Sequence, residues 1–294
     1  MKTAAHPLDG AATARLFQDA KPSPKTVRER ARDAKDRQPG HFGSVDGALR
    51  FFRNIRMPAS GRWAFKSVDK AASSSALRFL FEMEFGVPLT VAHDSTTDIN
   101  TDTIAHLSLG ADLFRTPLEI ADGTAQMAQA LRLATVRDPG RRAVSSFLYI
   151  CRTQDQRSGW MVQDRLRLSA LTGFDWNRHP RTRDGFLRFL DYVDYAHTDA
   201  EGGGRPVNTH WMRQTWLIRP AIFKPDLLGR TEAMDLFYAE VADRLGRALP
   251  QGWTGPHTNA QDPEPGADLL TDGTVRRRIA GVYAQDFVEF DYDT

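Results

Sequence analysis

The sequence predicts an α/β fold with a central parallel sheet flanked by helices, and three observations carry that expectation. RWAFKSV (62 to 68) and LRLATV (131 to 136) have the aromatic and β-branched content of buried strands. Each is followed by a polar turn and then by apolar residues at helical spacing. TIAHLSL (103 to 109) reads as a further short strand between them. Strands alternating with helices imply parallel pairing and right-handed crossovers. A chain of 294 residues has room for one large domain of this kind.

The elements follow in order. Residues 1 to 43 are rich in charge, Ala, Pro and Gly, and KPSPKTVRERARDAKDRQPG is too polar to pack, so this stretch reads as a mobile or peripheral arm. The globular domain is expected over 44 to 294. GALRFFRNIRMP gives a short amphipathic helix that ends before Pro58. Within SVDKAASSSALRFL and its continuation, Ala76, Leu77, Leu80, Phe81 and Glu84 fall at helical spacing, and Gly86 followed by Pro88 supplies the stop. Asp138 is a helix cap with Pro139 at the first helical position. From LRLSALTGF to about residue 250 the chain reads as mostly helical, with Phe186, Phe189, Tyr192 and Tyr195 on a core face. QGWTGPHTNAQDPEPG is a long Pro/Gly loop, either a lid or a surface excursion.

Composition excludes several classes. With 39 Lys and Arg against 37 Asp and Glu there is no general basic field, so no nucleic-acid partner is expected and an anionic ligand must meet a local cluster. The single cysteine, Cys151, rules out a disulfide framework and a Cys-rich zinc site, and suits a reducing compartment. The first residues lack the continuous apolar core of a signal peptide, and no run is long enough for a membrane span; the expected location is cytoplasmic. Asp98, Asn100 and Asp102 alternate as in a calcium loop, but Thr103 replaces the required glycine and Leu109 the closing glutamate.

Two stretches carry candidate chemistry. In SVDKAASSSALRFL the loop lies at the carboxyl end of a strand, where ligands of parallel sheets bind. Helix-start N–H groups, the hydroxyls of Ser73, Ser74 and Ser75, and the Lys70 cation suit a phosphate. The same residues equally suit a plain helix cap with a solvated lysine. A triphosphate loop of the form G-x-x-x-x-G-K-[ST] is absent, which disfavours a small-molecule kinase. In TVRDPGRRAVSSFLYI, Arg137 stands at the end of a strand, while Arg142, Ser145, Ser146 and Tyr149 recur on one face of the helix that follows. Solvent-exposed arginines on an ordinary amphipathic helix are the alternative.

Together these stretches resemble the paired phosphate motifs of sulfotransferases that use 3′-phosphoadenosine 5′-phosphosulfate, in the carbohydrate sulfotransferase branch (sulfotransferase family 2). The first matches a K-x-G-[ST]-[ST]-[ST] loop through Lys70, Ser73, Ser74 and Ser75, with Ala72 where glycine is usual. The second matches R-D-P-x-x-R-x-x-S completely, through Arg137, Asp138, Pro139, Arg142 and Ser145. VNTHWMRQTWLIRPAIFKPDLLGRTE (207 to 232) looks like the H-W-x-x-Q region with its D-x-x-G-R-x-E tail, and VYAQDFVEFDYD (282 to 293) like the usual ending Y-x-x-D-F-x-x-F-x-Y.

The resemblance implies a P-loop-like three-layer domain, the phosphosulfate as co-substrate, no metal, and a carbohydrate or glycolipid hydroxyl as acceptor. It also implies that Lys70, Ala71, Ala72 and Ser73 to Ser75 hold the 5′-phosphosulfate, with Lys70 as electrostatic catalyst, and that Arg137 and Ser145 hold the 3′-phosphate. His106 is the first candidate for the general base, as a histidine near this point serves some relatives, and Glu84 the second; His93 and His210 are further candidates, and His210, in the H-W motif, could instead position substrate or order the donor loop. Arg276, Arg277 and Arg278 could approach the donor or merely start a solvated helix. A non-catalytic nucleotide-binding protein is the rival from another class, and Ala72 keeps it open: a positive φ there would cost on the order of 1 kcal/mol.

Overall fold

The computed structural model describes residues 10–16, 21–91, 104–105, 109, 113–250, 253 and 266–294. Four strands form one sheet in the order β1 (Ile55–Arg56), β2 (Trp63–Lys66), β3 (Leu131–Val136) and β4 (Leu227–Arg230). β2, β3 and β4 run parallel, with Phe65 opposite Leu133 and Thr135 opposite Gly229, while β1 pairs antiparallel with β2 at the edge. The chain is thus mixed α/β with a mostly parallel sheet.

β2 and β3 are the two strands legible from composition. At its described positions the third expected stretch is not strand: Ile104, Ala105 and Leu109 have helical backbone. Ala105 and Leu109, four residues apart, are both buried, a spacing that a helix and a strand share, so the backbone conformation decides. The rest of that segment, His106 included, lies outside the described residues, as do His93, the Asp98 to Asp102 run and most of the 251 to 266 loop. β1 and β4 were not expected.

Both faces of the sheet are covered. Trp63, Phe65 and Leu133 alternate onto one face, where they meet Phe79, Leu80 and Met83 of the helix Ser73–Phe85 and Phe237 and Val241 of the helix Met234–Arg244. Gly229 permits that second helix to approach, because a Cβ there would stand 2.6 Å from the Phe237 ring. Ala64, Ala134 and Val136 alternate onto the other face, against Phe51 and Phe52 of the helix Val45–Arg53. Such two-sided burial is what makes parallel strands read as near-continuous apolar runs.

The polar first 43 residues contain the helix Pro24–Arg37, capped by Ser23 accepting from the Thr26 amide at 3.1 Å. Ala31, Ala34 and Phe42 are buried, Phe42 packs 5.4 Å from Phe51, and Arg30 donates to the Leu118 and Ile120 carbonyls. Residues 24 to 42 therefore lie against the body of the protein, through two alanines that a charge-dominated sequence conceals.

A third apolar cluster, around Phe147, Phe186, Phe189 and Trp211, joins the helices Pro139–Asp155, Val162–Thr172, Arg183–Glu201 and Gly273–Val282. Tyr192 is buried with them, whereas Tyr195 is exposed. Among the described residues no helix is long and apolar enough to cross a membrane.

Candidate functional site

β2 and β3 are parallel, so the loops that leave their carboxyl ends, 67 to 72 and 137 to 138, emerge on the same edge of the sheet. The first loop turns sharply. Lys70 and Ala72 both occupy the left-handed region, with φ of 67° and 59°. Ser73 spans the turn: its hydroxyl donates to the Val68 carbonyl at 2.6 Å and accepts from the Val68 amide at 3.1 Å. Thr135 of β3 donates to the Ala71 carbonyl at 2.5 Å, and Arg142 Nε donates to the Asp69 carbonyl at 2.9 Å. Arg137 reaches the Lys70 carbonyl at 3.4 Å.

The Ser73 hydroxyl is accordingly committed to the loop, and its proton goes to Val68. What Ser73 can offer an anion is its N–H, with Ser74 and Ser75 following on the first turn of the helix. Ala72, at the N-cap position, makes no side-chain capping bond. Its φ is the one that glycine adopts without steric cost. Ala72→Gly is therefore expected to raise stability by about 1 kcal/mol, less the entropy that glycine adds to the unfolded chain, as read from urea unfolding; a loss of stability would contradict this geometry.

The second loop is braced from three directions. Asp138 caps its helix by accepting from the Arg141 amide at 2.8 Å, as expected. Gln214 holds the Arg137 backbone from both sides, accepting from its N–H at 3.0 Å and donating to its carbonyl at 2.8 Å. Glu232 accepts from the Asp138 amide at 3.0 Å and from the Tyr292 hydroxyl at 3.1 Å. Gln214 is itself placed by fully buried Asp286, which accepts from the Gln214 and Thr215 amides at 2.8 and 2.9 Å. Burial, more than any neighbour, raises the Asp286 pKa against those stabilising bonds.

Arg142 is the joint between the segments. It is 1% exposed, and besides Asp69 it donates to the Met212 carbonyl at 2.8 Å and the Thr209 carbonyl at 3.0 Å. Ser146 adds a bond to the His210 carbonyl at 2.5 Å. The four stretches that look like family motifs thus form one network, in which Arg142, Ser146, Gln214, Glu232 and Asp286 act as braces. Gln214, Glu232 and Asp286 were seen in the sequence only as letters of a motif; nothing local shows what they hold.

Lys70 Nζ lies 3.3 Å from the centroid of the Tyr149 ring. The same ring stacks on His210, with centroids 4.9 Å apart and planes 8° from parallel. Burial draws the Lys70 pKa down to about 7; Asp69 opposes the shift, while Arg152, Arg137 and Arg142 add to it. Arg137 is likewise lowered, by burial first, with Glu232 opposing. Lys70, Arg137, Arg142 and Arg152 thus act on one another at the strand ends, with Asp69 and Glu232 opposing, and such a local cluster of cations suits a negatively charged ligand.

The remaining candidates lie elsewhere. Glu84 sits eleven residues beyond Ser73 on the same helix, about 16 Å along its axis, and is buried 3.5 Å from Arg62. The structure does not bring it to Lys70. Ser145 is half-buried on the helix that follows Arg137. Arg278 is taken up by Asp191 and Asp194, at 2.9 and 3.0 Å.

A lysine and an arginine are thus joined through the backbone at the strand ends of a parallel sheet, the edge at which ligands of open α/β sheets bind. The sequence model of the Sulfotransferase family matches residues 62–293, and the chain belongs to that family, whose chemistry is sulfo-group transfer. No curated protein and no solved structure was found to match significantly. The family named by its motifs is the one the match gives.

Proposed function

We propose that this chain transfers the sulfo group of 3′-phosphoadenosine 5′-phosphosulfate to a hydroxyl of a carbohydrate or glycolipid acceptor, by in-line displacement within a P-loop-like domain spanning residues 44 to 294. The observation that carries the reading is the coupling of the two loops: Arg137 bonds to the carbonyl of Lys70, so a site at one loop is built onto the other. In the proposal the amides of residues 73 to 75 and the hydroxyls of Ser74 and Ser75 take the 5′-phosphate, and Arg137 with Ser145 takes the 3′-phosphate. Lys70 leaves the Tyr149 face to neutralise the oxygen that departs from sulfur. Sulfo transfer, like phosphoryl transfer, asks the protein mainly for alignment and charge stabilisation.

Purified protein, labelled donor and a pooled panel of sugars, glycolipids and small alcohols test this directly. Labelled ester in the pool supports the reading; stabilisation by ATP and Mg²⁺ with no response to the phosphosulfate contradicts it.

The Lys70 pKa adds an independent expectation. With a free-protein value of about 7, Lys70 is largely neutral at pH 8, and the negative charge of bound 3′-phosphoadenosine 5′-phosphate raises that value. Binding at pH 8, where the nucleotide phosphates are already ionised, should therefore take up protons, up to about one, and Lys70→Gln should lose that uptake. Calorimetry in buffers of different ionisation enthalpy reads this number. Proton release at pH 8, or uptake unchanged in Lys70→Gln, would contradict it.

A further inference from the structure

The reacting acceptor needs a group to take its hydroxyl proton, and the described residues around Lys70 contain one that is held by a relay of its own. Asn208 accepts at Oδ1 both the His210 backbone N–H, at 3.1 Å, and the His210 ring at Nδ1, at 2.9 Å. Its Nδ2 donates to Asp164 Oδ2 at 2.9 Å. The amide cannot be reversed, since the reversed form would set NH₂ against an N–H and a carbonyl oxygen against a carboxylate. Asp164 is fixed in turn by the Tyr192 hydroxyl at 2.7 Å and by Arg167 at 3.5 Å.

An acceptor oxygen at 2.9 Å requires a proton on Nδ1, and the Asp69 carboxylate, 4.0 Å from the same nitrogen, reinforces that choice. Neutral His210 is therefore the Nδ1–H tautomer, with its lone pair on Nε2. The relay also joins the helices Val162–Thr172 and Arg183–Glu201, through Asp164 and Tyr192. Its effect is to orient one imidazole, which shares the Tyr149 ring with Lys70. Trp160, 53% exposed, stands edge-on to His210 at 6.3 Å and offers an apolar face beside it for an acceptor ring.

We propose that His210 is the general base for the acceptor and that Asn208 and Asp164 are its positioning residues; the inference rests on the sulfo-transfer reading above. As the acceptor oxygen attacks, its proton passes to His210 Nε2. A bond forms from that oxygen to sulfur while the bond from sulfur to the 5′-phosphate oxygen breaks, and the phosphate keeps the electron pair opposite Lys70. The new imidazolium is stabilised by Asn208 Oδ1 and the Asp69 carboxylate. In-line geometry puts the entering and leaving oxygens on opposite sides of sulfur, so the base and the lysine must be neighbours without coinciding, as two groups held on one aromatic ring are.

The test uses the full chain, labelled phosphosulfate donor and the pooled acceptors, counting all label that leaves the donor, to any hydroxyl or to water. Calorimetry with 3′-phosphoadenosine 5′-phosphate runs alongside. His210→Gln should lower label release about a hundredfold or more while nucleotide binding stays within about threefold. Asn208→Ala should lower release about tenfold or more, and in two-bond ¹⁵N spectra of histidine-labelled protein it should weaken the Nδ1–H pattern of the His210 ring, with only Asp69 left to favour it, whereas a merely structural role would leave the pattern intact. Label release in His210→Gln equal to that of the unaltered protein overturns this inference and leaves the sulfotransferase reading standing, as does an Nε2–H pattern for His210 in the unaltered protein. Absence of both label release and nucleotide binding in the unaltered protein overturns both.

Discussion

Lys70→Ala is expected to reduce sulfo transfer by about 10²- to 10³-fold, the effect of removing one preorganised donor from a developing negative charge. Nucleotide binding should fall much less, because the helix amides and Arg137 remain. Lys70→Arg should not rescue the rate. A planar guanidinium cannot replace a compact ammonium at a single oxygen, and the αL turn that aims the lysine is set by backbone, at φ 67°. The measurement is labelled transfer at saturating donor, paired with a calorimetric dissociation constant. Equal losses in both would mean that Lys70 serves binding alone.

The second large effect belongs to a residue that need touch no ligand. Arg142→Met keeps most of the volume but strips three partly buried carbonyls, at Asp69, Thr209 and Met212, of their donor. At 1–3 kcal/mol for each acceptor left unpaired, with partial relaxation, a loss of about 3–5 kcal/mol is expected in urea unfolding. Nucleotide binding should weaken with it, since the 67 to 72 loop loses its anchor. Arg137→Ala should show the reverse pattern: stability nearly unchanged, binding weakened about 10- to 100-fold. If Arg142→Met were as stable as the unaltered protein, the network described here would not be what holds the loops.

What could be read in the sequence was local. The cap at Asp138, the stop at Gly86, strands β2 and β3, and the lysine and arginine at their ends all depend on residues within a few positions of one another. β4 was missed because LLGR carries a glycine and only two large apolar side chains, and its strand character comes from pairing with β3, about a hundred residues away in the chain. TIAHLSL misled because its alternating apolar residues also fit a helix when positions 105 and 109 are the buried ones. The role of Ser73 was unreadable for a different reason: a serine that donates to a phosphate and one that donates to its own loop look alike until the backbone conformation is known. Ala72 went the other way. Its sequence position raised the question of a positive φ, and the backbone has one.

The relay behind His210 shows the same limit. Asp164 comes from a different stretch than Asn208 and His210, so nothing marks it as their partner until the helix Val162–Thr172 and the 207 to 214 segment are packed together. Their order in space follows from Arg142 and Ser146, which tie the backbone of residues 209 to 212 to the strand end that carries Lys70.

The central claim is that the two coupled loops form one site for a nucleotide with two separated phosphates. Calorimetric titration with 3′-phosphoadenosine 5′-phosphate, compared with adenosine 5′-monophosphate under the same conditions, addresses it most directly. The 3′-phosphate is expected to improve binding by about 10- to 100-fold through charge-assisted bonds, and Arg137→Ala to erase most of this advantage. Equal affinity for the two nucleotides, or no binding of either, would contradict it.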